Sequence, residues 1–230
     1  MRKRLIFAAI LAAAVLTGCV AQPQESAVSE STTESETQAA TAEATEAQSE
    51  ETTEPLFDEN ATPPESFAYE IKDGYAVITD FKGKETEIIV PSRLEGVPVT
   101  QIGQYAFEAS WNVTSITIPD TVTLIGEQAF LDCESLEYIN IPQGVTELQR
   151  ATFAGCLSLT EMTIPASVTK TDEELFIACP LENLYVENPE LPYASWGLEE
   201  LEFPCTIHAP EGAKILEWAE SNGVPTEILE

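Results

Sequence analysis

The chain has 230 residues, with 40 acidic side chains against ten basic ones and a formal net charge of −30. Apolar residues make up 43% and charged residues 22%, which suits one or two globular domains. So acidic a surface excludes nucleic acid as a partner, because phosphate binding needs clustered Lys and Arg, and it repels anionic lipid.

The first element is a targeting segment. Residues 1–18 hold Arg2, Lys3 and Arg4, an apolar run over residues 5–16 and no acid, which is the layout of a secretory signal. The run falls short of the roughly 20 residues a membrane helix needs. It ends in Leu16, Thr17, Gly18 and Cys19, a stretch that resembles the bacterial lipobox. That resemblance implies removal of residues 1–18 and a lipid on Cys19, hence a chain outside the cytoplasm, exposed at the surface of a bacterial cell and held to its membrane by the lipid. Removing three bases and no acids leaves 7 − 40, a charge of −33. Residues 20–65 then carry 12 acids and no Lys or Arg, among Ser, Thr, Ala, Gln and Pro. Such a composition cannot bury enough apolar surface to offset chain entropy, so 19–65 reads as a disordered linker after the lipidated Cys.

Folding begins near residue 66. The runs 67–71 and 75–79 flank Lys72, Asp73 and Gly74, an Asp-Gly hairpin signal. A repeat follows. "ITIPDTVTLIGEQAFLDCESLEY" (116–138) is answered by "INIPQGVTELQRATFAGCLSLTE" (139–161). Phe107, Phe130, Phe153 and Phe176 fall 23 residues apart. Cys133, Cys156 and Cys179 keep the interval, as do Pro119, Pro142 and Pro165, and Val99, Val122, Val145 and Val168. Leu136, Ile139 and Ile141 form a strand with its apolar side inward, which Pro142 ends. Val145 and Leu148 carry the chain back across the core. Ala151 and Phe153 sit on a short turn expected to be helical. No single unit can bury these groups, so the coils must stack, each slot on the same slot of its neighbour. The expected fold is a mainly β repeat solenoid with short helical turns, a right-handed stack of 23-residue coils. Its hairpin cap occupies about 66–86 and its repeats about 87–186. An irregular segment and a helical cap fill 187–230, the helix over 212–221 ending near Gly223.

These units resemble the BspA-like (Treponema pallidum type) leucine-rich repeats of bacterial surface proteins. The residues that carry the likeness are "ITIPDTVTLIGEQAFLDCESL", "INIPQGVTELQRATFAGCLSL" and "MTIPASVTKTDEELFIACPLEN", with the entry 69–107 and the exit 205–229. The resemblance implies adhesion and binding with diverse partners. The fourth unit departs from it at Thr171, Asp172 and Leu175, and lacks one residue before Leu181.

Little of the chain suits catalysis. His208 is the only His and aligns with an outward strand position. Acids such as Glu134, Glu137 and Glu161 occupy solvent slots without a recurring pair, so neither enzyme, metal nor cofactor is expected. Stacked cysteines come within Cα reach of a disulfide, but parallel side chains approach poorly, and whether they are free or oxidised stays open. What remains is the outer face of the strands. There Thr117, Tyr138, Asn140, Glu161, Thr163, Asn183 and Tyr185 make a polar strip, and Trp111 occupies an exposed slot shared with Glu134 and Leu157. Exposed aromatics among polar groups favour binding of protein or sugar. The expected function is a protein-binding or adhesion module. A glycan-binding or solute-capture lipoprotein and a structural protein of the envelope are the alternatives.

Overall fold

A computed structural model describes residues 58–200 and 205–229. Cys19, the signal segment and the linker up to residue 57 lie outside the described residues. The chain winds into a mostly β solenoid of about six turns, with a single α-helix near its C-terminus among the described residues.

The entry is the expected hairpin. β1 (Phe67–Lys72) and β2 (Tyr75–Phe81) pair antiparallel, with Asp73 (φ 44°) and Gly74 (φ 86°) both left-handed at the turn. That is the type I′ geometry which Asp-Gly favours. β3 (Glu87–Ile89) opens the first strand side, and the insertion before the repeats folds into a second tight hairpin, β4 (Arg93–Leu94) with β5 (Val97–Ile102).

Each later coil has three sides. The first carries β6 (Ser115–Thr117), then, in later coils, β8 (Tyr138–Ile139), β10 (Glu161–Ile164) and β12 (Asn183–Val186), β13 (Thr206–Ala209) and, last, β14 (Thr226–Ile228). The second carries β7 (Leu124–Ile125), β9 (Glu147–Leu148) and β11 (Lys170–Thr171), after β2 and β5. This second ladder is parallel, as stacked coils require.

The third side, expected as a short helical turn, is a run of i→i−3 turns that never continues into a helix. Alternate N–H groups are given away to the next coil: Phe107 to Ala129, Phe130 to Thr152 and Phe153 to Leu175, at 2.8, 3.0 and 3.1 Å. The N–H groups between them close turns within the coil, as Ala129 does on Gly126. A helix would need every N–H for itself. The alternation also forces left-handed residues two places before and after each Phe, as at Gln128 and Asp132 (φ 56° and 57°).

The slots stack inside. Val99, Val122, Val145 and Val168 are fully buried, and so are Phe130, Phe153 and Phe176. The Phe rings form a spine with centroids 5.3, 5.7 and 5.8 Å apart from Phe107 to Phe176. Phe81 stacks on its first ring at 5.6 Å. At the far end Trp196 meets Phe176 edge-on at 6.5 Å, its indole N–H donating to Thr171 at 2.8 Å. The irregular segment is therefore a degenerate coil whose Trp fills the Phe slot, and Thr171 departs from the apolar pattern to satisfy that buried N–H.

The ends are covered. Thr62, in the stretch that composition assigns to the linker, exchanges hydrogen bonds with Ile89 at 2.9 and 3.0 Å along the free edge of β3. Asp58 accepts from the Ser92 hydroxyl at 3.0 Å. α1 (Lys214–Asn222) closes the other end and stops at Gly223, left-handed at φ 68°. Tyr193 stacks on Trp218 of this helix at 3.8 Å.

Candidate functional site

The first-side strands turn alternate side chains outward. Register places Ile89 beside Thr117, Ser115 beside Tyr138, Glu161 beside Asn183, Thr163 beside Tyr185 and Tyr185 beside His208. Register carries the polar strip from β3 to β8 and again from β10 to β13, and Tyr138 is 55% exposed on it.

The backbone beneath it is not continuous. β3, β6 and β8 make one parallel sheet, and β10, β12, β13 and β14 another. No ladder joins β8 to β10. Asn140 stands at the edge of this gap. Its side chain accepts from the Ile118 N–H at 2.7 Å and donates to the Ile118 carbonyl at 2.8 Å, both on the preceding coil. An amide side chain thus takes the place of a backbone partner. Over the gap lies a groove of about 240 Å³ lined by Tyr138, Asn140, Glu161 and Thr163, together with Glu137, Gln143 and Glu187.

Four of the eight face candidates meet there. Thr117 lies beyond it, in a second hollow of about 390 Å³ with Asn60, Thr62 and Glu87. Asn183 and Tyr185 are tied to His208: the Asn183 carbonyl oxygen sits 2.9 Å from its Nε2, and the Tyr185 ring stacks on it at 4.3 Å. His208 is consequently buried, not exposed as its outward position suggested, and its Nδ1 lies 3.4 Å from Glu227. Trp111 is 63% exposed but stands on the corner before β6, off the strand face. Trp196 is fully buried and unavailable to any ligand.

Sequence reasoning missed Glu187. Counting the deletion before Leu181, it occupies the slot that Pro119, Pro142 and Pro165 hold in earlier coils. Its carboxylate accepts from the Ala166 N–H at 3.1 Å, which brings it back over the groove. A broken Pro slot was the signal.

The cysteine file is internal. Cys133, Cys156 and Cys179 are buried free thiols, each donating to the carbonyl of a Phe one coil earlier, at 3.1, 3.4 and 3.0 Å. Burial pushes the Cys133 thiol up to about 12. The hydrogen bond with Cys179, followed by burial, pushes Cys156 up as well. Neutral buried thiols of this kind are poor nucleophiles. Among the described residues no cluster of His, Cys, Asp and Glu could hold a metal, and no helix is long and apolar enough to cross a membrane.

Comparison with known proteins agrees with this geometry. The profile of the BspA type leucine rich repeat region matches residues 84–191 in six copies. A leucine-rich repeat protein of T. pallidum superposes with a TM-score of 0.51 at 20% identity, over 73% of this chain and 98% of that one. A leucine-rich cell surface protein from Faecalibacterium prausnitzii gives 0.54 at 24%, over 71% and 43%. A leucine-rich repeat protein from Bacteroides ovatus gives 0.50 at 25%, over 62% and 45%. These likenesses show the fold. No curated protein matches the sequence.

Proposed function

Since residues 84–191 belong to the BspA-type leucine-rich repeat family, which is often involved in protein binding, we propose that this chain is a binding module that takes a protein partner on the outer face of its first side. The observation that carries the proposal is the groove over the β8–β10 gap, where Tyr138, Asn140, Glu161 and Thr163 converge on a face that no element of the described chain covers. The buried slots encode the coil and are common to all copies, so they discriminate between no partners. The outward positions differ from coil to coil, and specificity resides there. Aromatic anchors dominate interface energetics, and Tyr138 is the aromatic of this groove.

The test is capture of proteins from bacterial and host extracts on immobilised chain, compared with Tyr138→Ala. Proteins held by the wild type and lost from the variant support the reading. Capture that survives Tyr138→Ala and disappears with Trp111→Ala moves the site to the corner and overturns it.

We further propose that the chain is presented outside the cytoplasm on a lipid carried by Cys19. The support is the basic start, the apolar run and the Leu-Thr-Gly-Cys sequence ahead of the acidic stretch. Labelled palmitate should enter the wild-type chain and not Cys19→Ala. Labelling of both would remove the anchor.

A further inference from the structure

The first side has a charge pattern of its own. None of its seven strands carries a Lys or Arg. The chain has ten basic residues, and setting aside Arg2, Lys3 and Arg4 leaves seven in the described part. All seven lie on hairpins, corners, the other two sides or the C-terminal helix. Five of them meet carboxylates there, among them Lys72 with Glu70 at 2.7 Å, Arg150 with Glu174 at 2.5 Å and Lys214 with Glu190 at 2.9 Å. The acids of the other sides are thus partly neutralised. Those of the strand face are left with no Lys or Arg of the same face.

The groove concentrates this imbalance. Glu137, Glu161 and Glu187 line it, and no salt bridge among the described residues reaches any of them. Between them stands Tyr138, whose ring offers a face of negative quadrupole. The unbridged gap adds a separate feature. With β8 and β10 unpaired, no ladder closes the strand face at this level. Carboxylates and an aromatic ring face both attract positive charge, and the residues that carry them line one half-enclosed volume.

We propose that the groove receives a cationic side chain, Arg or Lys, presented by an extended segment of the protein partner that lies along the strand face. This rests on the protein-binding reading of that face and narrows it to a basic ligand. An Arg fits best: its planar guanidinium stacks on a ring while its N–H groups fork to carboxylates, here those of Glu161 and Glu187. A neutral sugar would leave the three carboxylates uncompensated. A nucleic acid would be repelled.

The test uses the full chain and the acetylated, amidated pentapeptide Ser-Arg-Ser-Arg-Ser, carrying a rhodamine dye and followed by fluorescence anisotropy. Its counterpart with citrulline in place of Arg has the same shape and no charge. Expected is binding of the Arg peptide that weakens with added salt, and about fivefold weaker or undetectable binding of the citrulline peptide. Glu161→Gln combined with Glu187→Gln keeps size and acceptor atoms and should weaken the Arg peptide by about fivefold. Glu108→Gln combined with Glu211→Gln makes the same change in net charge at exposed positions off the strand face, and should cost less than about twofold. Equal weakening by the two pairs would show diffuse attraction to an acidic protein and overturn the proposal, as would equal binding of the citrulline peptide or no binding of the Arg peptide. Loss of protein capture by the wild-type chain itself would remove the protein-binding reading, whereas failure of the cationic groove alone looks different. Protein capture that depends on Tyr138 yet ignores Glu161→Gln with Glu187→Gln keeps the strand face as the binding surface and removes only the cationic groove.

Discussion

At the scale of single residues, the cysteine file and the phenylalanine spine solve one problem with different atoms. Both occupy the turn side, where half of the backbone N–H groups are spent on the next coil. The Phe rings fill the space between coils. The thiols cap the carbonyls of Phe107, Phe130 and Phe153, and a small, weakly polar donor suits a site with no room for water. This role makes stability sensitive to alkali. Below about pH 9 the Cys133 thiol is neutral whether the chain is folded or not. As pH rises further, the unfolded chain loses thiol protons while folded Cys133 keeps its proton up to about 12, so stability falls across that window. The slope reaches about 1.4 kcal/mol per pH unit for each such thiol. Urea unfolding followed from about pH 8 to about pH 11 should show this decline, and a Cys133→Ala, Cys156→Ala variant should show a shallower one. The period of 23 made the file legible in the sequence. Its chemical state was not, because the direction of each S–H depends on the turns, and those turns were read as helical.

At the scale of elements, the coil built on β8 and β9 stands apart. It is bonded to the preceding coil on the first side through β6–β8, and to the following coil on the second side through β9–β11. The complementary contacts, β7–β9 and β8–β10, carry no ladder. A Cβ placed on Gly126 would lie 2.5 Å from the Gln104 nitrogen of the coil before it, so Gly permits that close approach. One coil later the slot holds Gln149, and β7–β9 pairing is absent at that level. Asp172 fills the slot in the next coil and still bonds Leu148 at 2.9 Å, so a side chain there does not by itself part the coils. On the first side Asn140 holds the coil in place through Ile118. Asn140→Ala leaves that buried N–H and carbonyl unsatisfied and should cost about 1–3 kcal/mol in denaturant unfolding. Thr163→Ala, on an exposed side chain of the same groove, should cost less than about 0.5 kcal/mol. Here the sequence was misleading. Asn140 stands in an outward slot and reads as a ligand contact, and only the coordinates of Ile118 reveal that both ends of its amide are used. Likewise Trp196 follows Phe176 by 20 residues rather than 23, and the shortened coil hid its place in the spine.

At the scale of the whole molecule, each end of the stack uses a different device. The exit closes with a helix whose C-terminal glycine and apolar face were visible in residues 212–223. At the entry, besides the hairpin that the Asp-Gly signal marked, the edge of β3 is covered by residues around Thr62. Composition assigned these to the linker, because the cap works through hydrogen bonds of the Thr62 backbone and hydroxyl and of the Asp58 carboxylate, and needs no apolar side chain. An open edge of this kind pairs readily with other strands. Deleting residues 1–62 should therefore give larger species than the full chain at equal concentration in light scattering, and unchanged size would show that Thr62 protects nothing. The two missing ladders of the middle coil have a mechanical meaning as well. Between the coil of β3 and β5 and the coil of β6 and β7 all three sides are braced, and bending there means breaking hydrogen bonds. The middle coil is free on the second side toward one neighbour and on the first side toward the other, while the turn side runs through both levels unbroken. Each free side makes a leaf hinge backed by the Phe spine, and the two leaves open in different directions. Placed one above the other, they form a universal joint at the level of the groove.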